Sequence, residues 1–361
     1  MLRELRGARL AQVPPLLTTR IVSDPTFNPP TASTPPVIDP SAGLPSVLVT
    51  GAAGFVGAAT CAYLAARGLR VRAASRAGLG PRAPKGVADV AVGEVGPGTD
   101  WRAALEGASA VVHLAGLAHR GGAAAADRAA FDHTNVEGTL RLAHAALEAG
   151  VRRFVFVSSI GVHGHRSDRP LTEADAPAPV EPYAHSKLEA ERRLAALCEG
   201  APMRPVVLRP ALVYGPGCPG NLQRLMRLVA TGLPLPFGSV TTRRAMVGID
   251  PLVALIEACV HDPRAEGETF VAADVEAPTL RELIVTLAEG MGRRARLLPV
   301  PPGLLRTLAG LVGRAADIDR LTAPLRVDAC KARRLLGWAS PIAQREGLLR
   351  TAAAYAAGTS R

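Results

Sequence analysis

Val47-Leu48-Val49-Thr50-Gly51-Ala52-Ala53-Gly54-Phe55-Val56-Gly57 reads as a buried strand, a glycine turn and the start of a helix. Glycines three apart let the backbone approach a pyrophosphate, whose charge then rests on free N–H groups at the helix N-terminus. In a chain with 36 glycines the spacing alone is weak; its force comes from its place on the first strand of an alternating pattern. Continuous apolar runs predict strands at 46–50, 69–74, 87–92, 110–114, 153–158 and 205–209. Helical spacing predicts helices over 54–67, 129–149 and 181–199, each followed by a glycine (Gly68, Gly150, Gly200) where a left-handed cap is needed. Alternating strands and helices, with strands apolar on both faces, predict an α/β fold around a parallel sheet covered on both sides.

At 361 residues the chain is long enough for one large α/β domain or a domain plus a lobe, and 48% apolar with 20% charged residues is ordinary for a globular protein. Aromatics at 4% argue against a base-stacking nucleic-acid surface. The net charge of +11 is almost all arginine, since Lys85, Lys187 and Lys331 are the only lysines. The arginines come as scattered doublets such as Arg152-Arg153 and Arg243-Arg244, a pattern that suits anionic small ligands and not a nucleic-acid backbone. Five separated cysteines, without a CxxC pair, indicate neither a zinc site nor a disulfide framework and suit a reducing cytoplasm. No run approaches a membrane span; Leu297 to Gly313, the nearest, is broken by prolines and Arg306 and predicts a loop and an amphipathic helix. Residues 1–45, rich in Pro, Ser and Thr, predict a disordered extension.

Two further clusters carry chemistry. At the end of the second strand, Val71-Arg72-Ala73-Ala74-Ser75-Arg76 has no acid to meet a ribose 2′-hydroxyl, and Arg76 there favours NADP over NAD. Glu94, after the third strand, is placed to meet the adenine. Tyr183-Ala184-His185-Ser186-Lys187 sets a phenol and an ammonium four apart on one helix face, where the cation is expected to draw the phenol's pKa down toward the working range. Upstream, Val157-Ser158-Ser159 ends a strand at the carboxyl edge, where ligands bind; alternation turns Ser159, not Ser158, toward Tyr183.

From Val47 to Pro341 the chain resembles the extended short-chain dehydrogenase/reductases, within the NAD-dependent epimerase/dehydratase family. The landmarks are TGAAGFVG at Thr50 to Gly57, HLAG at His113 to Gly116, Asn135 with VEGT, VSSIGVHG at Val157 to Gly164, YAHSK at Tyr183 to Lys187, LRPALVYGPG at Leu208 to Gly217, and LLGW at Leu335 to Trp338. The resemblance implies a Rossmann doubly wound sheet (46–215), a smaller C-terminal substrate-binding lobe (mostly 216–345, with segments returning to the sheet), and a C-terminal helix or tail over 346–361. It implies a homodimer without membrane insertion and a nucleotide-sugar substrate. It also implies Ser159, Tyr183 and Lys187 as catalytic residues. Cofactor contacts follow at Gly51, Gly54, Phe55, Val56, Gly57, Arg76, Glu94, Leu114, Ala115, Gly116, Asn135, Tyr183, Lys187 and Pro210. Asn135 is expected to support Lys187 through its backbone, Ser159 to orient the sugar's oxygen beside Tyr183, Asn221 to touch the sugar diphosphate and Arg243 the uridine diphosphate.

Departures narrow the chemistry. The acid pair that nucleotide-sugar 4,6-dehydratases carry after the strand-end hydroxyl is replaced by Ile160 and Gly161, which cannot move protons. His163 stands where a Tyr is usual, and His163 with His165 lacks companions for a metal site. The segment from Asn221 to Pro236 looks most like the UDP-glucose 4-epimerase subgroup, which also holds 4-ketoreductases. The favoured activity is NADP-dependent reduction of a UDP-4-keto-6-deoxy-N-acetylhexosamine. The alternatives are UDP-hexose 4-epimerisation with tightly held NAD, and a non-catalytic cofactor-binding regulator.

Overall fold

The structure, a computed structural model, describes residues 46–118, 127–311, 313 and 315–359; the expected extension over 1–45 lies outside them. In chain order the first elements are β1 (Ser46–Thr50), α1 (Phe55–Ala66), β2 (Arg70–Ser75), β3 (Ala88–Ala91), α2 (Arg102–Leu105), β4 (Ala110–His113), α3 (Arg128–Phe131), α4 (Gly138–Glu148) and β5 (Arg153–Val157). There follow β6 (Ser167–Leu171), α5 (Pro182–Leu197), β7 (Arg204–Pro210), β8 (Leu212–Tyr214), α6 (Asn221–Ala230), β9 (Met246–Gly248), α7 (Ile249–His261) and β10 (Thr269–Ala272). The chain closes with α8 (Leu280–Gly290), α9 (Pro302–Leu311), α10 (Ala315–Thr322), β11 (Leu325–Val327), α11 (Cys330–Leu336) and α12 (Gln344–Thr359).

Seven strands form one sheet in the order β10-β7-β5-β4-β1-β2-β3, every pair parallel. The order reverses at β1, so the β1 and β4 carboxyl ends part to leave a crevice, as in a Rossmann sheet. The central strands are buried on both faces: all of β4 and all of β5 are inaccessible. Leu64, Leu252, Ile256 and Trp338 cover one face, and Trp101, Leu142, Phe154 and Leu194 cover the other. Gly68, Gly150 and Gly200 adopt φ of +85°, +74° and +73°, the left-handed caps that the sequence demands. Two small parallel pairs, β8–β9 and β6–β11, lie outside this sheet.

Three features differ from the sequence pattern. The helix expected over 129–149 is broken by a π-helical turn at Asp132–Glu137, because Asn135 and Thr139 spend their hydrogen bonds outside a regular ladder. The seventh strand, β10, is only four residues long and follows a charged turn over 262–268, so its run is too short to register. The third is in Leu297 to Gly313, where α9 starts at Pro302 and turns leucines to both its sides. No helix among the described residues is long and apolar enough to cross a membrane.

Helix α5 is fastened to β7 by a buried ion pair. Arg209 donates from Nε to Glu191 Oε1 at 3.1 Å and from Nη2 to Oε2 at 2.5 Å, and its Nη1 meets His163 Nε2 at 2.8 Å. His163 therefore accepts from Arg209, and burial and the guanidinium hold its pKa below the ordinary value. Removing one partner strands the other charge in a dry site. Glu191→Ala is expected to lower the free energy of unfolding by about 3–5 kcal/mol, read from urea denaturation, whereas breaking a water-screened surface pair such as Arg102–Asp100 should leave the transition nearly where it was.

Candidate active site

The glycine turn is built by close approach. Gly51 has φ +68°, and a Cβ there would stand 2.8 Å from the Ala115 nitrogen; a Cβ on Gly57 would stand 2.1 Å from the Gly51 carbonyl oxygen. Gly54 N–H donates to that same oxygen at 2.9 Å. Helix α1 then starts at Phe55, directly after the cavity-lining Gly54, with no side-chain cap and no acid in its first turn, which leaves its N-terminal N–H groups without an intrahelical acceptor.

A cavity of about 570 Å³ opens over this turn, bounded by Gly51 and Gly54, by Ser75, Arg76 and Glu94, and by Leu114, Ala115 and Gly116. Arg76 is largely exposed and lies 3.7 Å from the equally exposed Glu94, a pair that water screens. Beside it, Ser75 is buried and its hydroxyl has no hydrogen-bond partner among the described residues. A buried orphan hydroxyl, a cradle that any Cβ would fill and an open helix N-terminus together fit a dinucleotide. Ser75 escaped the sequence reading because a serine at a strand end has no distinguishing pattern.

Ser159, Tyr183 and Lys187 are brought together at the carboxyl edge of β5. Ser159 caps the short turn that follows, accepting from Gly161 N–H at 3.1 Å, and hydrogen-bonds the Tyr183 phenol. Ser158 is buried on the other side, its hydroxyl unpartnered among the described residues. Tyr183 lies edge-on to Phe131, ring centroids 6.2 Å apart. Lys187 is 4% exposed; its Nζ donates to the Val157 carbonyl at 2.9 Å and lies 4.6 Å from the centre of the Phe156 ring.

Burial pushes the Tyr183 pKa up to about 12, with the Ser159 hydrogen bond working against it. The expectation that Lys187 lowers this pKa is corrected: the ammonium is committed to Val157 and Phe156, and desolvation dominates the phenol. Lys187 itself is held down at about 8 by burial, with Glu191 opposing. The Asn135 carbonyl accepts the Thr139 hydroxyl at 2.7 Å, and the carbonyl in direct contact with Lys187 belongs to Val157. The Asn135 side chain instead accepts from Leu117 N–H at 2.8 Å and donates to Leu117 O at 3.0 Å and Ser186 Oγ at 2.9 Å, tying the loop after β4 to α5.

A hydrogen-bond chain joins the two halves of the site. Thr50 Oγ1 accepts from Leu114 and Ala115 N–H, so its proton goes to His113 Nδ1 at 2.7 Å. His113 Nε2 then donates to Thr139 Oγ1 at 2.9 Å, which donates to the Asn135 carbonyl. Burial, then the Lys187 charge, hold the His113 pKa at about 3, so it stays neutral and keeps this tautomer.

The remaining expected residues are dispersed. Pro210 ends β7 beside Ala272, away from the cavity lining. Asn221 opens α6, exposed, with Arg224 3.5 Å from its Oδ1. Arg243 is exposed and drawn to the Ala277 carbonyl at 2.8 Å and to Glu282. Its neighbour Arg244 is the half-buried one: Nη1 donates to Ala323 O at 3.2 Å, and the charge of Glu181, two residues before Tyr183, acts on it. In an Arg-Arg doublet, sequence cannot say which guanidinium turns inward.

The chain matches the NAD dependent epimerase/dehydratase family over residues 47–273. It is 36% identical to a UDP-glucose 4-epimerase of Vibrio cholerae over 88% of this chain and 97% of that one. Among solved structures it is similar to MoeE5 in complex with UDP-glucose and NAD (27% identity, TM-score 0.70, 88% of this chain and 100% of the other). It is also similar to a short-chain dehydrogenase/reductase superfamily protein of Agrobacterium tumefaciens with bound NAD (25%, TM-score 0.68, 87% and 98%).

Because the folded pKa of Lys187 lies below its unfolded value, the native state resists binding that proton, and stability rises with pH from about 8 toward 10.5. Lys187→Met is expected to gain about 2 kcal/mol of unfolding free energy at pH 7. Denaturant titrations across pH should show that gain shrinking between pH 8 and 10.5.

Proposed function

The chain belongs to the NAD-dependent epimerase/dehydratase family, and from that premise we propose that it is an NADP-dependent reductase of a 4-keto sugar carried on uridine diphosphate. It is an enzyme of the extended short-chain dehydrogenase/reductase type. The observation that carries the reductase reading is the end of β2, where the orphan hydroxyl of Ser75 and the guanidinium of Arg76 stand at the cavity and no carboxylate precedes them. That pair suits a 2′-phosphate, and the phosphorylated cofactor serves reductions.

When bound, the nicotinamide supplies the hydride for C4. The chain's own residues manage the proton and the geometry. Tyr183, whose phenol is protonated at neutral pH, gives its proton to the C4 oxygen while Ser159 orients that oxygen by hydrogen bond. Lys187 holds the edge of the site through Val157 and stands within reach of Gly116 at the cavity rim. Arg244, in place of Arg243, is our choice for the diphosphate, because it is the half-buried arginine beside the Tyr183 helix. Ile160 and Gly161 offer no acid or base for dehydration, and Ile160 is packed in an apolar cluster.

A second reading, 4-epimerisation, is favoured by the name of the Vibrio cholerae relative and uses the same three residues. Denaturing the purified protein and assaying the supernatant separates the two. Retained NAD at near one per chain supports epimerisation; an empty protein with preference for NADPH supports reduction. Arg76→Ala is expected to cut kcat/KM for NADPH at least ~tenfold while leaving NADH nearly unchanged, and unaltered cofactor preference would overturn the NADP reading. Tyr183→Phe should lower kcat by ~10²–10⁴-fold with cofactor affinity kept, measured by steady-state kinetics and fluorescence titration.

A further inference from the structure

Among the described residues nine large apolar side chains are exposed, and six of them gather in two segments that run side by side. Leu228 lies in the last turn of α6 and Leu233 just after it, and Leu298, Leu304, Leu308 and Leu311 lead into and along α9. The segments are joined: Leu235 N–H donates to Arg296 O at 2.8 Å, Leu298 N–H to Leu235 O at 2.9 Å, and Arg293 Nη1 to Ala230 O at 2.5 Å.

Helix α9 carries its apolar residues the wrong way round for a soluble surface. Leu305 is buried in the core with Leu222 and Leu235, as an amphipathic helix requires. Yet Leu304, Leu308 and Leu311, spaced i, i+4, i+7, form a second stripe toward solvent, 51%, 52% and 81% exposed. A leucine stripe held out in water gains by burial against something.

Charge identifies what. Residues 221–235 and 291–311 contain six arginines, Arg224, Arg227, Arg293, Arg294, Arg296 and Arg306, and no aspartate or glutamate. All six are exposed, and among the described residues only Arg306 has an acidic partner, Asp319 of α10 at 2.9 Å. Leucines flanked by arginines without acids match an anionic lipid surface, where acyl chains take the leucines and headgroups take the guanidinium groups. A second copy of the chain would bring the same positive charge against itself, and a nucleic acid has no use for the leucines.

We propose that this face is a peripheral membrane-docking surface, with α9 lying in the headgroup region of an anionic bilayer and no segment spanning it. The contact is separate from Tyr183 and the cofactor cavity, so it stands whichever reaction the site performs.

The test is co-sedimentation of the purified full chain with vesicles of phosphatidylglycerol and phosphatidylcholine in equal parts, beside pure phosphatidylcholine. The wild-type chain is expected to pellet with the anionic vesicles and not the zwitterionic ones. The Leu304→Ser/Leu308→Ser/Leu311→Ser triple variant should lose ~tenfold or more of the bound fraction with melting temperature and cofactor binding unchanged. Leu308→Trp, a single exposed change, should give an emission blue shift with anionic vesicles only, which keeps the test valid if the triple variant folds poorly. Absence of pelleting, equal pelleting by the triple variant, or a leucine-dependent dimer in sedimentation velocity without vesicle binding would each overturn the proposal.

Discussion

An ammonium taken out of water must find an acceptor, and Lys187 organises the carboxyl edge of β5 because it has so few to choose from. The Val157 carbonyl and the Phe156 face receive it, which fixes α5 against the end of β5. One residue earlier, Ser186 receives the Asn135 amide; one turn later, Glu191 is clamped by Arg209. Tyr183, a turn before, is thereby held beside Ser159 by attachments that are nearly all buried. The cost of keeping a cation there is a stability penalty that a purely structural position would not retain, as expected where a site is preorganised at the fold's expense.

The cofactor crevice is tied to that helix by hydrogen bonds and not by proximity alone. Thr50 ends the strand that enters the glycine turn, and through His113 and Thr139 it reaches the carbonyl of Asn135, whose amide reaches α5. Each hydroxyl proton in the chain is used once, and the imidazole stays neutral because burial forbids the second proton. The π-helical turn at Asp132–Glu137 is the local distortion that lets Asn135 face both the β4 loop and α5.

The large positive charge resolves into different physical uses. Arg209 is a buried strut, Arg76 an exposed cation at the cavity rim, and Arg244 a half-buried cation beside the Tyr183 helix. A further group, of which Arg306 alone is paired with an acid among the described residues, stands around exposed leucines at α6 and α9. The net value reports none of this, because it averages over faces that do not see one another within a screening length.

By itself the sequence determined the parallel sheet, its first six strands, the glycine turn and the placement of Tyr183 and Lys187 one turn apart on one helix. These follow from local rules: burial of apolar runs, left-handed caps, and helical spacing, none of which needs distant contacts. Only the tertiary structure decided which of two adjacent arginines turns inward, that Asn135 serves with its side chain, that desolvation governs the Tyr183 phenol, and that Ser75 is a buried hydroxyl without a partner. Those outcomes depend on what lies across the fold, on Glu181, Ser186, Ser159 and the crevice wall, because solvation and hydrogen-bond choice are set by neighbours in space and not along the chain.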